Sequence, residues 1–193
     1  MVEEKGFVHM KSKYQLLSYF KELGFKVGAE IGVSQGHFSE AMLQEIPGLK
    51  LYCVDVWKAY RGNRWMPPTG RADVYYEIAK KRLAPYNAIL IRKFSMDALA
   101  DIPDGSLDFV YIDANHAFDY VMEDLINWSR KVKVGGIISG DDYYHFKKAG
   151  VVEAVDAYTK AHGIIFQLTD PLSEKIQDRG CQEQPSFWWI KHE

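Results

Sequence analysis

Apolar positions along the chain alternate between two spacings, and the alternation predicts a layered α/β protein. Residues 1–9 show no period. Then Tyr14, Leu16, Leu17, Phe20 and Leu23 recur at helical intervals until Gly24 stops the turn. A short apolar run over about 27–31 predicts the first strand, and a helix over about 37–46 follows it, ended by Pro47-Gly48. Residues 49–56 form a second apolar strand that finishes on an acid. A helix over about 72–84 and a strand over 88–92 repeat the unit. Residues 107–112 are the fourth strand. The next helix, over about 119–131, carries Val121, Leu125, Ile126 and Trp128 on one face, and Val134-Gly135-Gly136 leads into a fifth strand over 137–140. After a helix over about 150–161, with Val151, Val152, Val155 and Tyr158, two β-rich runs at 164–168 and 186–190 close the pattern. The polar stretch between them, 170–185, shows no helix, so these two strands are expected to pair antiparallel. The sum is a doubly wound, mostly parallel seven-stranded sheet with helices on both faces and a C-terminal antiparallel hairpin.

The polar residues that break this pattern fall at the carboxyl ends of the expected strands: Glu30, Asp55, Asp113, His116, Asp141 and Asp142. Ligands of open α/β sheets bind along that edge. The first strand runs into Glu30-Ile31-Gly32-Val33-Ser34-Gln35-Gly36, where glycines allow a sharp turn and the following helix opens with unpaired N–H groups. This E-x-G-x-x-x-G loop lacks the close glycine pair of the G-x-G-x-x-G dinucleotide fingerprint, and its carboxylate suits a cationic or hydroxyl-bearing ligand better than a phosphate. That argues against a nicotinamide-dependent oxidoreductase, the alternative on the same fold class. Residues 57–72 have no period but are rich in aromatics, which fits either a cap over the substrate or an Ω-loop packed on itself.

Composition narrows the class further. The chain has 193 residues, 47% hydrophobic and 26% charged, ordinary values for one globular domain. A net charge of -2 gives no field to draw nucleic acid or an acidic membrane surface, so a small molecule is the expected partner. Cys53 and Cys181 show neither metal spacing nor a disulfide framework, which fits the reducing cytoplasm. No signal-peptide pattern and no apolar run of membrane-spanning length is seen. Oligomeric state is left open, a homo-oligomer included.

Across about 27–142, the glycine loop, the acid after the second strand, Asp113 after the fourth and Gly135-Gly136 before the fifth together resemble the class I S-adenosylmethionine-dependent methyltransferases, a Rossmann-like fold. The resemblance implies that Glu30 faces the amino group of the methionine moiety, that Asp55 takes the ribose hydroxyls, and that Gly32, Ser34, Gly36, Val56, Ser95, Met96 and Asp113 complete the cofactor site. More narrowly, Asp113-Ala114-Asn115-His116 followed by Gly140-Asp141-Asp142-Tyr143 resembles the metal-assisted O-methyltransferases of the catechol, caffeoyl-CoA and macrolide-sugar type. Three carboxylates with few cations nearby in the sequence call for a hard divalent ion on Asp113, Asp141 and Asp142, with Mg²⁺ expected and Ca²⁺ or Mn²⁺ as alternatives. The chain departs from the catechol and caffeoyl-CoA enzymes in having Asp142 where they usually have Asn, and His116 where they have a lysine base. His116 and Asp113 are the catalytic candidates, with His145 a second candidate base. His37 and His162 read as structural or surface residues, Asp141 or Asp142 could instead cap the turn after the strand, and His116 could be a satisfied polar group at the head of the next helix. The implied function is O-methylation of a small hydroxylated acceptor; a cofactor-binding module without turnover is the other reading.

Overall fold

Residues 9–60, 70–146, 149–170 and 184–192 are described by a computed structural model of the chain. The expected sheet is present, in the order β3-β2-β1-β4-β5-β7-β6. Its first five strands, β1 (Val27–Ile31), β2 (Lys50–Asp55), β3 (Ala88–Arg92), β4 (Leu107–Ile112) and β5 (Val132–Gly140), are parallel. β7 (Phe187–Ile190) runs antiparallel to β5, and β6 (Gln167–Leu168) runs antiparallel to β7 at the edge. β4 is buried at all six positions, as a strand between two helical layers must be. Its alternate side chains feed two cores: Phe109 and Tyr111 face one, Val110 and Ile112 the other.

The first core lies under α1 (Lys13–Glu22), α2 (His37–Glu45) and α3 (Arg71–Leu83), with Leu16, Leu17, Phe20, Met42, Leu83 and Trp188 at its centre. The second lies under α5 (Phe118–Lys131) and α6 (Val151–Ala161) and holds Val54, Leu125, Trp128, Val155 and Trp189. The chain leaves β1 to pair β2 on one side and β4 on the other. That change of direction opens a crevice at the carboxyl ends of β1 and β4, where the site forms.

Three local expectations change. The run at 164–168 is a strand only at Gln167–Leu168: the Ile164 N–H bonds back to Thr159 O at the end of α6, and Ile165 is exposed. An edge strand facing the four-residue β7 has little ladder to join. On α5, Ile126 is exposed, and Asp124 takes the inward position beside Val121, Leu125 and Trp128. A four-residue helix, α4 (Ser95–Ala98), continues into a 3₁₀ turn at Leu99–Asp101, too short to leave a period in the sequence. Most of the expected cap, Cys181 and most of 170–185 lie outside the described residues.

Candidate functional site

A cavity of about 450 Å³ opens at the crevice, lined mainly by apolar surface and by a ring of acids. Of the expected site residues, Glu30, Gly32, Ser34, Asp55, Val56, Ser95, Met96, Asp113 and His116 all line it. Gly36, Asp141 and Asp142 lie outside its wall. The two loop glycines serve the protein's own packing. Gly32 has φ +96, and a Cβ there would fall 1.9 Å from the Asp113 carbonyl oxygen, so the loops after β1 and β4 touch only because position 32 has no side chain. Gly36 adopts φ +77 at the N-cap of α2.

Glu30 is 1% exposed, and its one described partner is the Ser39 hydroxyl, which donates to Oε2. Burial, helped by the nearby Asp113 and Asp55 charges and opposed by Ser39, pushes its carboxyl up to about 8. Asp55 is differently placed. Its Oδ2 accepts from Val33 N (3.0 Å) and Ser34 N (2.8 Å), and its Oδ1 accepts from Trp57 N (2.7 Å), so it binds the glycine loop to the start of the aromatic segment. Burial still raises its pKa against these three bonds. Trp57 returns the tie by donating from Nε1 to Ser34 O (2.7 Å), and it is buried, with φ +39.

At the other end of the crevice, β4 delivers Asp113 and His116 while β5 delivers Asp141 and Asp142. His116 Nε2 lies 3.4 Å from Asp113 Oδ1 and 3.3 Å from Asp142 Oδ2, and ligand-capable atoms of these three residues fall within 4.8 Å of one another. The expected trio is therefore regrouped: Asp141 turns to Lys13 of α1 (Nζ–Oδ2, 2.8 Å) and accepts from Ser186 Oγ (3.0 Å). Burial and the neighbouring Asp113 charge push Asp142 up to about 6. Burial opposes charging of His116, but its hydrogen bond to Asp113 and the charges of Asp113, Asp142 and Asp141 outweigh burial and raise its pKa. Asp142 has φ +60, a left-handed conformation that Asp tolerates. His145 is exposed and reaches Glu153 (3.4 Å), His162 packs on Tyr158, and His37 is exposed, as a surface residue is expected to be, at the rim of the cavity.

Among the wall residues that sequence reasoning missed are Phe38, Phe94 with Tyr120, and Asp124, while Tyr60 lies in the aromatic segment 57–72. Tyr60 packs edge-on against Phe94 and accepts at its hydroxyl from Asn115 Nδ2 (3.2 Å), which links the aromatic segment to the loop after β4. Asp124 is 3% exposed and takes a hydrogen bond from Ser95 Oγ, and burial pushes it up to about 7. An acid among the polar residues of an amphipathic helix gives no sequence signal of facing inward.

Residues 29–143, more than half of the chain and the stretch that carries the loop and every strand-end acid, match the family described as a methyltransferase domain. The chain belongs to this methyltransferase family. No curated protein matches the methyltransferase significantly. Solved structures do match its fold. The O-methyltransferase NovP is 17% identical with a TM-score of 0.64, covering 94% of this chain and 80% of that one. An O-methyltransferase from Bacillus cereus, solved in complex with SAH, is 13% identical with a TM-score of 0.65, covering 93% and 80%. TomG from Streptomyces achromogenes, solved in complex with SAM and involved in tomaymycin synthesis, is 16% identical with a TM-score of 0.62, covering 93% and 79%. At these identities the likeness is one of fold, and it bears out the Rossmann-like sheet expected from the strand pattern. No helix among the described residues is long and apolar enough to cross a membrane.

Proposed function

We propose that this methyltransferase, working as a single domain, moves a methyl group from S-adenosylmethionine to an oxygen of a small hydroxylated molecule with the help of a divalent ion. One observation carries the cofactor reading: Glu30, Asp55 and Asp113 face one largely apolar cavity, and burial holds all three above the usual carboxylate range. Such a cavity favours a ligand that brings positive charge, and a sulfonium with an ammonium group supplies two. Glu30 takes the amino group. Asp55 Oδ1, which accepts a single N–H, keeps lone-pair capacity for a ribose hydroxyl. The Gly32–Gly36 loop, with Ser34, borders the same end, while Val56, Ser95 and Met96 border the base.

The donor set fits a hard divalent cation. Asp113, Asp142 and His116 converge within 4.8 Å, burial and the neighbouring acid charges raise the pKa values of the two acids, and Asp141 stands beside them. Asp113, Asp141 and Asp142 would hold the ion, Mg²⁺ foremost with Ca²⁺ and Mn²⁺ as the alternatives. When bound, the ion would hold acceptor oxygens and acidify the hydroxyl to be methylated. His116, between Asp113 and Asp142, is the imidazole placed to accept the hydroxyl proton. Phe38, Tyr60 and Tyr120 keep water from the transferring methyl. Calorimetric titration of the whole chain with S-adenosylhomocysteine and with NAD tests the cofactor, and heat from NAD alone rejects it. Methyl transfer to a panel of catechols, sugars and polyketides, with and without chelator, tests the rest; transfer undiminished in excess chelator rejects the ion.

A further inference from the structure

Asp141 enters the proposed metal set with both carboxylate oxygens already engaged. Oδ1 accepts from Ser186 Oγ at 3.0 Å, and Oδ2 is paired with Lys13 Nζ at 2.8 Å. The pair is well shielded, with side chains 16% and 8% exposed. Lys13 comes from 128 residues upstream, as the first residue of α1. Its charge also lowers the pKa values of Glu30, Asp113 and Asp142, so a single ammonium acts on the whole acidic end of the crevice. Among the described residues, Lys13 and His116 are the cations that pair with the strand-end acids here, and His116 is held by Asp113 and Asp142.

We propose that Lys13 is the resident counter-ion of Asp141, and that a divalent cation binds by exchange with it. This inference rests on the metal reading above. The exchange leaves the fold in place. α1 is anchored by the Ser12 cap on Gln15 N and by buried Leu16, Leu17 and Phe20, whereas the ammonium sits at the end of a four-carbon stem. The Phe38 ring, whose centroid is already 5.1 Å from Nζ in the paired state, can hold the ammonium through a cation–π contact once Asp141 is released. Without the ion, Lys13 keeps Asp141 from standing as a buried unpaired charge. With the ion, the same carboxylate becomes a ligand, and the metal's apparent affinity is reduced by the fraction of time Lys13 holds Asp141.

The test is Mn²⁺ binding to the full chain, followed by the electron paramagnetic resonance signal of free Mn²⁺, with no cofactor or acceptor present. If Lys13 holds Asp141 about nine-tenths of the time, Lys13→Met tightens Mn²⁺ binding about tenfold, and adding Asp141→Asn removes the gain. Lys13→Arg, which keeps the charge and grips a carboxylate through two N–H groups, weakens binding several-fold and guards against misfolding of the methionine variant. A residue that merely supports the fold does not move metal affinity in opposite directions in the two variants. Wild-type binding that is unchanged in both Lys13→Met and Lys13→Arg overturns the exchange alone. If neither the wild type nor Lys13→Met binds Mn²⁺ at millimolar concentration, the metal reading falls and the exchange with it.

Discussion

Glu30→Gln tests the electrostatic basis of the proposed cofactor site in the ligand-free protein. The Glu30 carboxyl stands at about 8 in the folded chain against an ordinary 4.5, chiefly because it is buried. Below pH 4.5 it is protonated in both folded and unfolded chains and has no net effect. Between 4.5 and 8 the unfolded chain ionises while the folded chain holds its proton, so the wild type loses stability as pH rises, at about 1.4 kcal/mol per pH unit. Across the full interval the loss approaches about 5 kcal/mol. Glutamine keeps an acceptor for Ser39 and has no proton to lose, so the variant escapes this decline. Urea unfolding from pH 5 to 8.5 should show the stability gap moving in favour of Glu30→Gln by about 3–5 kcal/mol, the other raised acids cancelling in the comparison. A gap independent of pH refutes the reasoning. The wild type should also release close to one proton at pH 7 on binding S-adenosylhomocysteine, as the arriving ammonium ionises Glu30. The variant should bind roughly 10- to 100-fold more weakly, through loss of a charged hydrogen bond. Calorimetry in buffers of different ionisation enthalpy measures both.

Three further substitutions probe the rest of the site. Gly32→Ala should cost about 3 kcal/mol or more in chemical denaturation, because a Cβ meets the Asp113 carbonyl oxygen and the φ of +96 is strained for alanine; a loss under about 1 kcal/mol shows that the two loops can part cheaply. Asp142→Asn should weaken Mn²⁺ binding without abolishing it and differ in severity from Asp141→Asn, and equal metal titration curves for the two variants would be the wrong outcome. His116→Ala should lower kcat by about 10²–10⁴ at neutral pH and leave S-adenosylhomocysteine affinity nearly unchanged. Partial recovery at high pH, where the acceptor ionises unaided, is expected; equal losses of rate and cofactor binding would make His116 structural and turn attention to His145.

The parts of the site legible in the sequence are those fixed by local periodicity. An acid at the end of an apolar run, such as Glu30 or Asp113, must stand at the sheet's edge, because a strand of that length cannot place it elsewhere. What could not be read depends on partners distant in the chain. The polarity of Asp141 gives no sign that Lys13 will reach it, and the distribution of charge among Asp113, His116 and Asp142 is set by a three-way approach of side chains from two strands. Asp55 looks in sequence like a ligand group, yet the fold uses most of its hydrogen-bonding capacity on three backbone N–H groups. Ile126 and Asp124 show the limit of helical spacing, since either could face inward until the neighbouring packing decides.

That Asp55 carboxylate has a meaning for how such a protein can be rebuilt. It holds the glycine loop and the first residue of the aromatic segment in one hand, and the Trp57 indole closes the ring back onto Ser34. A transplanted segment that replaces residues 55–57 therefore removes a brace of the glycine loop, whereas one spliced in from residue 58 leaves the brace standing. On the proposed function, acceptor choice and cofactor grip meet at this joint, and an engineer who wants to change the first without loosening the second has a cut site already marked by the fold.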